Sequence, residues 1–201
     1  MTYKSNDPNN TIAFQGIPGA YSELACLSNF ENMETLSCPS FEDMISSVQE
    51  NRAKLAMVPV ENSTAGRVAD IHHLLPESGL YIIGETYFRV NHMLLGVKGA
   101  KLNDLQEVKS HAQGLAQCRE NINKLNLLPI IHPDTAGAAQ EVSKLKDKTV
   151  AAIASKLAAE KYDLQIFKEN FEDKNHNTTR FLIMSKTYKM PEVDKEKYIT
   201  T

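Results

Sequence analysis

Two threonines, an arginine and a phenylalanine follow Asn177, and Thr179-Arg180-Phe181 leads into the apolar run Leu182-Ile183-Met184. A guanidinium at the mouth of a strand that must be buried needs a partner or a ligand. The Thr178 and Thr179 hydroxyls and the Asn177 amide make a compact donor cluster beside it. Four further turns place small or polar residues between a strand and a helix: Gly16-Ile17-Pro18-Gly19-Ala20-Tyr21-Ser22, Glu61-Asn62-Ser63-Thr64-Ala65-Gly66, Ser110-His111-Ala112-Gln113 and Asp134-Thr135-Ala136-Gly137. In open α/β sheets ligands bind beyond the carboxyl ends of the strands. Helix N-termini there offer free N–H groups and a positive dipole end, suited to a carboxylate or phosphate. Ser22, Ser110 and Thr135 add hydroxyl donors. Taken singly, each is an N-cap; taken with the Thr-Arg pair, the turns point to a cleft for a small anion.

Elements on either side must hold these turns. Short apolar runs predict strands at 11–15, 35–38, 55–60, 80–83, 92–97, 107–110, 127–131, 149–153, 164–167 and 181–184, with an extended connection over 84–91. Helical periodicity predicts helices at 20–30, 41–51, 67–75, 113–125, 135–145 and 154–162. Phe41, Met44, Ile45 and Val48 share one helical face, as do Leu115, Cys118, Ile122 and Leu125. Alternating strands and helices imply an α/β fold with mostly parallel sheets. The first ten residues and those after Lys186 are polar and expected to fray.

Composition removes several function classes. The chain has 201 residues, a formal net charge of −3, 42% hydrophobic and 23% charged residues, ordinary values for a globular protein. No basic stripe is interleaved with aromatics, which argues against nucleic acid. No apolar run approaches the ~18 residues of a membrane span. The polar start lacks a hydrophobic signal region, so a cytoplasmic location is expected. Cys26, Cys38 and Cys118 are odd in number, lack metal-ligand spacing and read as reduced structural thiols. His72 and His73 are adjacent on a helix and diverge, which does not suit a metal. There is no Gly-x-Gly-x-x-Gly, no Walker lysine and no Gly-x-Ser-x-Gly elbow. No cofactor is therefore expected.

Five segments together resemble the prephenate dehydratase family: 16–25 (GIPGAYSELA), 58–68 (VPVENSTAGRV), 110–118 (SHAQGLAQC), 134–139 (DTAGAA) and 177–181 (NTTRF). They occur in the family's order and spacing. The resemblance implies a two-lobed, type II periplasmic-binding-protein-like fold with the active site in the inter-lobe cleft. The lobes would be 11–86 with 176–201, and 87–175. It implies decarboxylation and dehydration of prephenate to phenylpyruvate, a step toward phenylalanine. The family's essential threonine falls on Thr179, its Glu-Asn-Ser motif on Glu61, Asn62 and Ser63, and its Ser-His-x-Gln segment on Ser110, His111 and Gln113, with Gln117 following. Ala20, Ala112 and Gly114 depart from the common pattern. Most bacterial members continue into an ACT domain that binds phenylalanine; nothing after Lys186 resembles one, so hyperbolic kinetics are expected.

The reaction implied needs neither nucleophile nor cofactor. Loss of CO₂ and of the 4-hydroxyl makes an aromatic ring, so the protein need only help the hydroxyl depart and orient the carboxylate. Thr179 would donate to the departing hydroxyl, with Glu61 as an acidic neighbour. Asn62, Ser110 and Gln117 would hold the substrate, with Ser22, Ser63, Gln113, Thr135, Thr178 and Phe181 lining the site. Arg180 would pair with a substrate carboxylate or with an internal one such as Glu61. Arogenate dehydratase is the rival enzyme. A non-catalytic small-anion-binding protein of the same fold is the rival from another class, disfavoured because such proteins are normally exported. Homo-oligomerisation stays open.

Overall fold

In a computed structural model that describes residues 7–188, the strands form two mixed sheets. The first contains β1 (Thr11–Gln15), β2 (Glu34–Cys38), β3 (Leu55–Asn62), β5 (Tyr81–Arg89) and β11 (Thr178–Ser185) in the order β2-β1-β3-β11-β5, with β4 (Gly66–Arg67) paired to β3. The second contains β6 (Met93–Val97), β7 (Glu107–Ser110), β8 (Leu128–Ile131), β9 (Val150–Ala154) and β10 (Leu164–Lys168) in the order β10-β6-β9-β7-β8. Seven helices are described: α1 (Tyr21–Asn29), α2 (Phe41–Gln49), α3 (Ala69–Leu74), α4 (Ala112–Gln117), α5 (Arg119–Lys124), α6 (Thr135–Leu145) and α7 (Lys156–Lys161). No helix among the described residues is long and apolar enough to cross a membrane.

The expectation of mostly parallel sheets is not met. Four of nine strand pairs are parallel and five antiparallel. A parallel neighbour needs a crossover helix, and β1, β2 and β3 have α1 and α2 between them. The chain instead re-enters the first sheet from the second as β11, which inserts antiparallel between β3 and β5.

Each sheet is packed on both faces. Met44, Ile45 and Val48 of α2 and Ile71 of α3 cover one face of the first sheet, and Ala25 and Cys26 of α1 the other. In the second sheet, alanines of α6 and α7 meet β9, whose five residues are all buried. Leu115, Cys118 and Ile122 cover its opposite face. The change of sheet falls at 90–92, because β5 continues to Arg89, and again at 169–177. Residues 189–201, assigned by expectation to the first lobe, lie outside the described residues. Residues 8–10, expected to fray, form a short 3₁₀ turn capped by Asp7.

One expected helix, 113–125, is broken at Cys118 (φ −114°, ψ 13°). The cause lies in the second crossing. Asp173 accepts from the N–H groups of Glu120 (2.9 Å) and Asn121 (3.1 Å), and its own N–H donates to Gln117 O (2.8 Å). A carboxylate 52 and 53 residues away from the two donors therefore caps α5 and ends α4 at Gln117.

Candidate active site

The site begins with a β-bulge. Phe181 pairs with Pro59, but Arg180 pairs with Glu61 and Thr179 with Asn62, so Val60 is an extra residue on β3. Pro59 cannot donate to the ladder and is tolerated where the ladder is interrupted. The Val60 carbonyl, freed from β11, accepts from Val68 N (3.1 Å) and lies 3.2 Å from His72 Nε2. Because side chains alternate along a strand, the extra residue changes which side chains of β3 share a face with those of β11. Asn62 comes to the face of Thr179, and Glu61 goes to the face of Arg180.

Asn62 then organises the centre. Its Nδ2 donates to Thr179 Oγ1 (2.9 Å) and Asn177 Oδ1 (2.7 Å). Its Oδ1 accepts from Thr64 N (3.0 Å), Ala65 N (2.9 Å) and Thr64 Oγ1 (2.8 Å). Gln117 reaches across from the second sheet: Nε2 donates to Thr64 Oγ1 (2.5 Å), and Oε1 accepts from Asn177 Nδ2 (2.8 Å). Behind Gln117 lies His92 at the first crossing, with Nε2 2.7 Å from Gln117 Oε1 and Nδ1 2.6 Å from the Tyr21 hydroxyl. His92 is 2% exposed, and burial lowers its affinity for a proton. Burial raises the Tyr21 phenol well above its ordinary range. A pocket of about 540 Å³ opens beside Thr64, Gln117 and Asn177, also lined by Arg119, Lys174 and His176.

A second group of contacts ties the glycine turn to the other lobe. Ser155, the N-cap of α7, donates to Gly19 O (2.6 Å), and the Tyr162 hydroxyl donates to Pro18 O (2.5 Å). Buried Glu23 accepts from Gly19 N (2.7 Å) and pairs with Lys161 (3.0 Å). Gly19 sits at φ +93°, and a Cβ there would lie 3.0 Å from the Ala158 Cα.

Several expected site residues are placed elsewhere. Glu61, exposed and on the opposite face, is not beside Thr179. Arg180 donates through Nε to Glu85 (2.8 Å), with Nη2 at 2.6 Å, so its internal partner is Glu85 rather than Glu61, and the pairing raises its pKa further. Phe181 is 1% exposed in the core against α1. Ser110 is fully buried and donates to Ile153 O (2.7 Å). Ser63 donates to His176 O (2.6 Å) and accepts from Thr178 N (3.0 Å), stitching the turn to the crossing. Ser22 and Thr135 are half-buried in the first turns of α1 and α6, whose N-caps are Ala20 and Asp134. Thr178 is half-buried and Gln113 exposed. The structure thus brings together Thr179, Asn62 and Gln117 of the expected set. It adds Tyr21, Thr64 and His92, which sequence reasoning missed. A histidine opening a buried strand was the available signal.

Two sheets, each covered on both faces and joined by two crossings, make a two-lobed α/β fold of the type II periplasmic-binding-protein-like class. The model of the prephenate dehydratase family matches residues 12–189, and the chain belongs to that family. It is 50% identical over 175 residues to a bifunctional N-acyl-homoserine lactone acylase/prephenate dehydratase of Komagataeibacter europaeus, covering 87% of this chain and 62% of that protein. It is 43% identical to arogenate dehydratase/prephenate dehydratase 1, chloroplastic, of Arabidopsis thaliana, covering 94% and 48%. A solved prephenate dehydratase from Arthrobacter aurescens, in complex with L-Phe, superimposes with a TM-score of 0.84 at 26% identity, covering 92% of this chain and 63% of that one. The chain thus spans less than two thirds of the length of these relatives.

Proposed function

We propose that the chain is a dehydratase that converts prephenate to phenylpyruvate. One observation carries the reading. Thr179 Oγ1 accepts from Asn62 Nδ2 at 2.9 Å, which leaves its own proton available to a substrate oxygen. As the ring carboxylate leaves as CO₂, its electron pair enters the ring and the C4–O bond breaks. The departing hydroxide takes a proton and leaves as water. Thr179 supplies that hydrogen bond at the moment negative charge develops on the oxygen, which is where a fixed donor is most effective. Asn62 stabilises charge passed back to the threonine oxygen. Gln117 orders the cleft from the other lobe. Among the twelve residues expected from sequence, Thr179, Asn62 and Gln117 are proposed for catalysis, while Arg180, Phe181, Ser110 and Ser63 are proposed as supports.

Arogenate is the second reading, supported by the activity named for the Arabidopsis relative. The acylase named for the Komagataeibacter relative has less support here. Among the described residues no Ser or Cys side chain hydrogen-bonds a histidine ring, and burial pushes the Cys38 thiol up to about 11 and those of Cys26 and Cys118 higher. The purified protein should release phenylpyruvate and CO₂ in equal amounts from prephenate. Faster turnover of arogenate would shift the assignment to that substrate. Binding of prephenate without turnover would favour the binding-protein alternative, and hydrolysis of an N-acyl-homoserine lactone alone would overturn the dehydratase reading.

A further inference from the structure

Hydrogen-bond direction in the site is set from one end. The backbone N–H groups of Thr64 and Ala65 point at the same side-chain atom of Asn62. A backbone N–H can only donate, so that atom is the oxygen, and the NH₂ faces Thr179 and Asn177. The Asn177 atom it meets must be an acceptor, which turns the Asn177 NH₂ toward Gln117. The Gln117 atom met there is in turn its oxygen. That oxygen lies 2.7 Å from His92 Nε2. An amide oxygen cannot donate, so His92 carries its proton on Nε2. Its Nδ1 then presents a lone pair 2.6 Å from the Tyr21 hydroxyl, which donates to it.

We propose that Tyr21 and His92 are positioning residues for the dehydration. Tyr21 holds His92 in its neutral Nε2–H tautomer, and that tautomer keeps Gln117 and Asn177 in the amide orientations that agree with the one the Thr64 and Ala65 N–H groups impose on Asn62, which leaves the Thr179 proton free. The proposal rests on the reading of Thr179 as donor to the departing hydroxyl. The other tautomer would set lone pair against lone pair at 2.7 Å. Gln117 would escape by rotating its amide, which would place its oxygen against Thr64 and its NH₂ against that of Asn177. The relay spans both lobes: Tyr21 lies on α1, His92 at the first crossing and Gln117 at the end of α4. Glu172 is 5% exposed and accepts the His92 backbone N–H at 2.8 Å, which holds the ring in place. Tyr21 has a second acceptor in Asn91 O at 3.2 Å, so loss of the imidazole leaves the phenol satisfied.

The test has two arms. In histidine-labelled protein, ¹⁵N NMR of the His92 ring, assigned by its disappearance in His92→Gln, should show Nε2 protonated and Nδ1 bare. A bare Nε2 would overturn the proposal, whether or not the protein turns over any substrate. In the kinetic arm, His92→Phe keeps the ring's bulk but donates nothing. It should lower kcat by about 10-fold or more while KM changes less. His92→Gln can still donate to Gln117 and should recover most of that loss. Equal losses in both variants that follow their melting temperatures would mean a merely structural role and would also overturn the proposal. If wild-type protein converts neither prephenate nor arogenate, the dehydratase reading fails instead, and the NMR arm still decides the tautomer.

Discussion

Replacing Asn62 with aspartate changes one NH₂ to an oxygen and nothing in size. The three acceptor contacts of Oδ1 with Thr64 and Ala65 survive. The two donor contacts, at 2.9 Å to Thr179 Oγ1 and 2.7 Å to Asn177 Oδ1, become oxygen facing oxygen. Thr179 is the only one of those two with a proton on the contacting atom, so its hydroxyl must turn to the new carboxylate, and the proton meant for the substrate is consumed. Asn177 must rotate its amide, which disturbs Gln117. Loss of a fixed transition-state donor costs about 10²–10³ in kcat, or about 2.7–4 kcal/mol. The unfavourable contact with Asn177 should cost about 1–3 kcal/mol of stability. Steady-state release of phenylpyruvate, measured beside a melting curve, separates the two effects. Glu61→Gln, one residue away but on the opposite face, should do far less harm. Near-wild-type kcat in Asn62→Asp, or greater damage from Glu61→Gln, would refute the arrangement of the bulge around Thr179.

Thr179→Ala should lower kcat by about 10²-fold or more, with Thr179→Ser keeping a measurable part; equal activity of the alanine variant and wild type would remove the donor role. Glu85→Gln should cost about 1 kcal/mol, discounted for partial exposure of the pair, seen as a melting shift of about 2–4 °C, with kcat close to wild type. Because Arg180 keeps its proton throughout, with Glu85 raising its pKa further, this contribution should be constant across neutral and mildly alkaline pH. Gly19→Ala should destabilise by about 1–3 kcal/mol, since the residue needs both φ +93° and contact with Ala158. Burial depresses the proton affinity of His92, so the unfolded chain binds more protons as pH falls below about 6.5, and stability falls with it. Thermal melts across that window should show a smaller acid loss in His92→Gln.

Periodicity and apolar runs located every main strand and nearly every helix, because burial imposes a local pattern. The exceptions were set by distant residues. Nothing within 113–125 reveals that Asp173 caps α5. The placement of Glu61 beside Thr179 follows from an unbroken register: counted evenly from Phe181 and Pro59, Thr179 meets Glu61. Pro59 within an apolar run was the available hint of a bulge. Arg180 is legible as a charge in need of a partner, but the partner lies on β5, in a stretch whose sequence reads as an extended connection. Thr179, Asn62 and Gln117 were named through a resemblance, and the contacts that link them through Asn177 and Thr64 belong to the folded chain alone.

The extra residue at Val60 gives β3 two independent frames. From Leu55 to Pro59 the frame is set by the hydrophobic core; from Glu61 to Asn62 it is set by pairing with β11 beside the crossing. The bulge absorbs the difference. A chain shortened by deletion of Val60 could restore even pairing and still set Asn62 opposite Thr179, losing a core side chain and the carbonyl that receives Val68. A shortening here therefore falls on packing, while the pairing of Asn62 with Thr179 stays in phase.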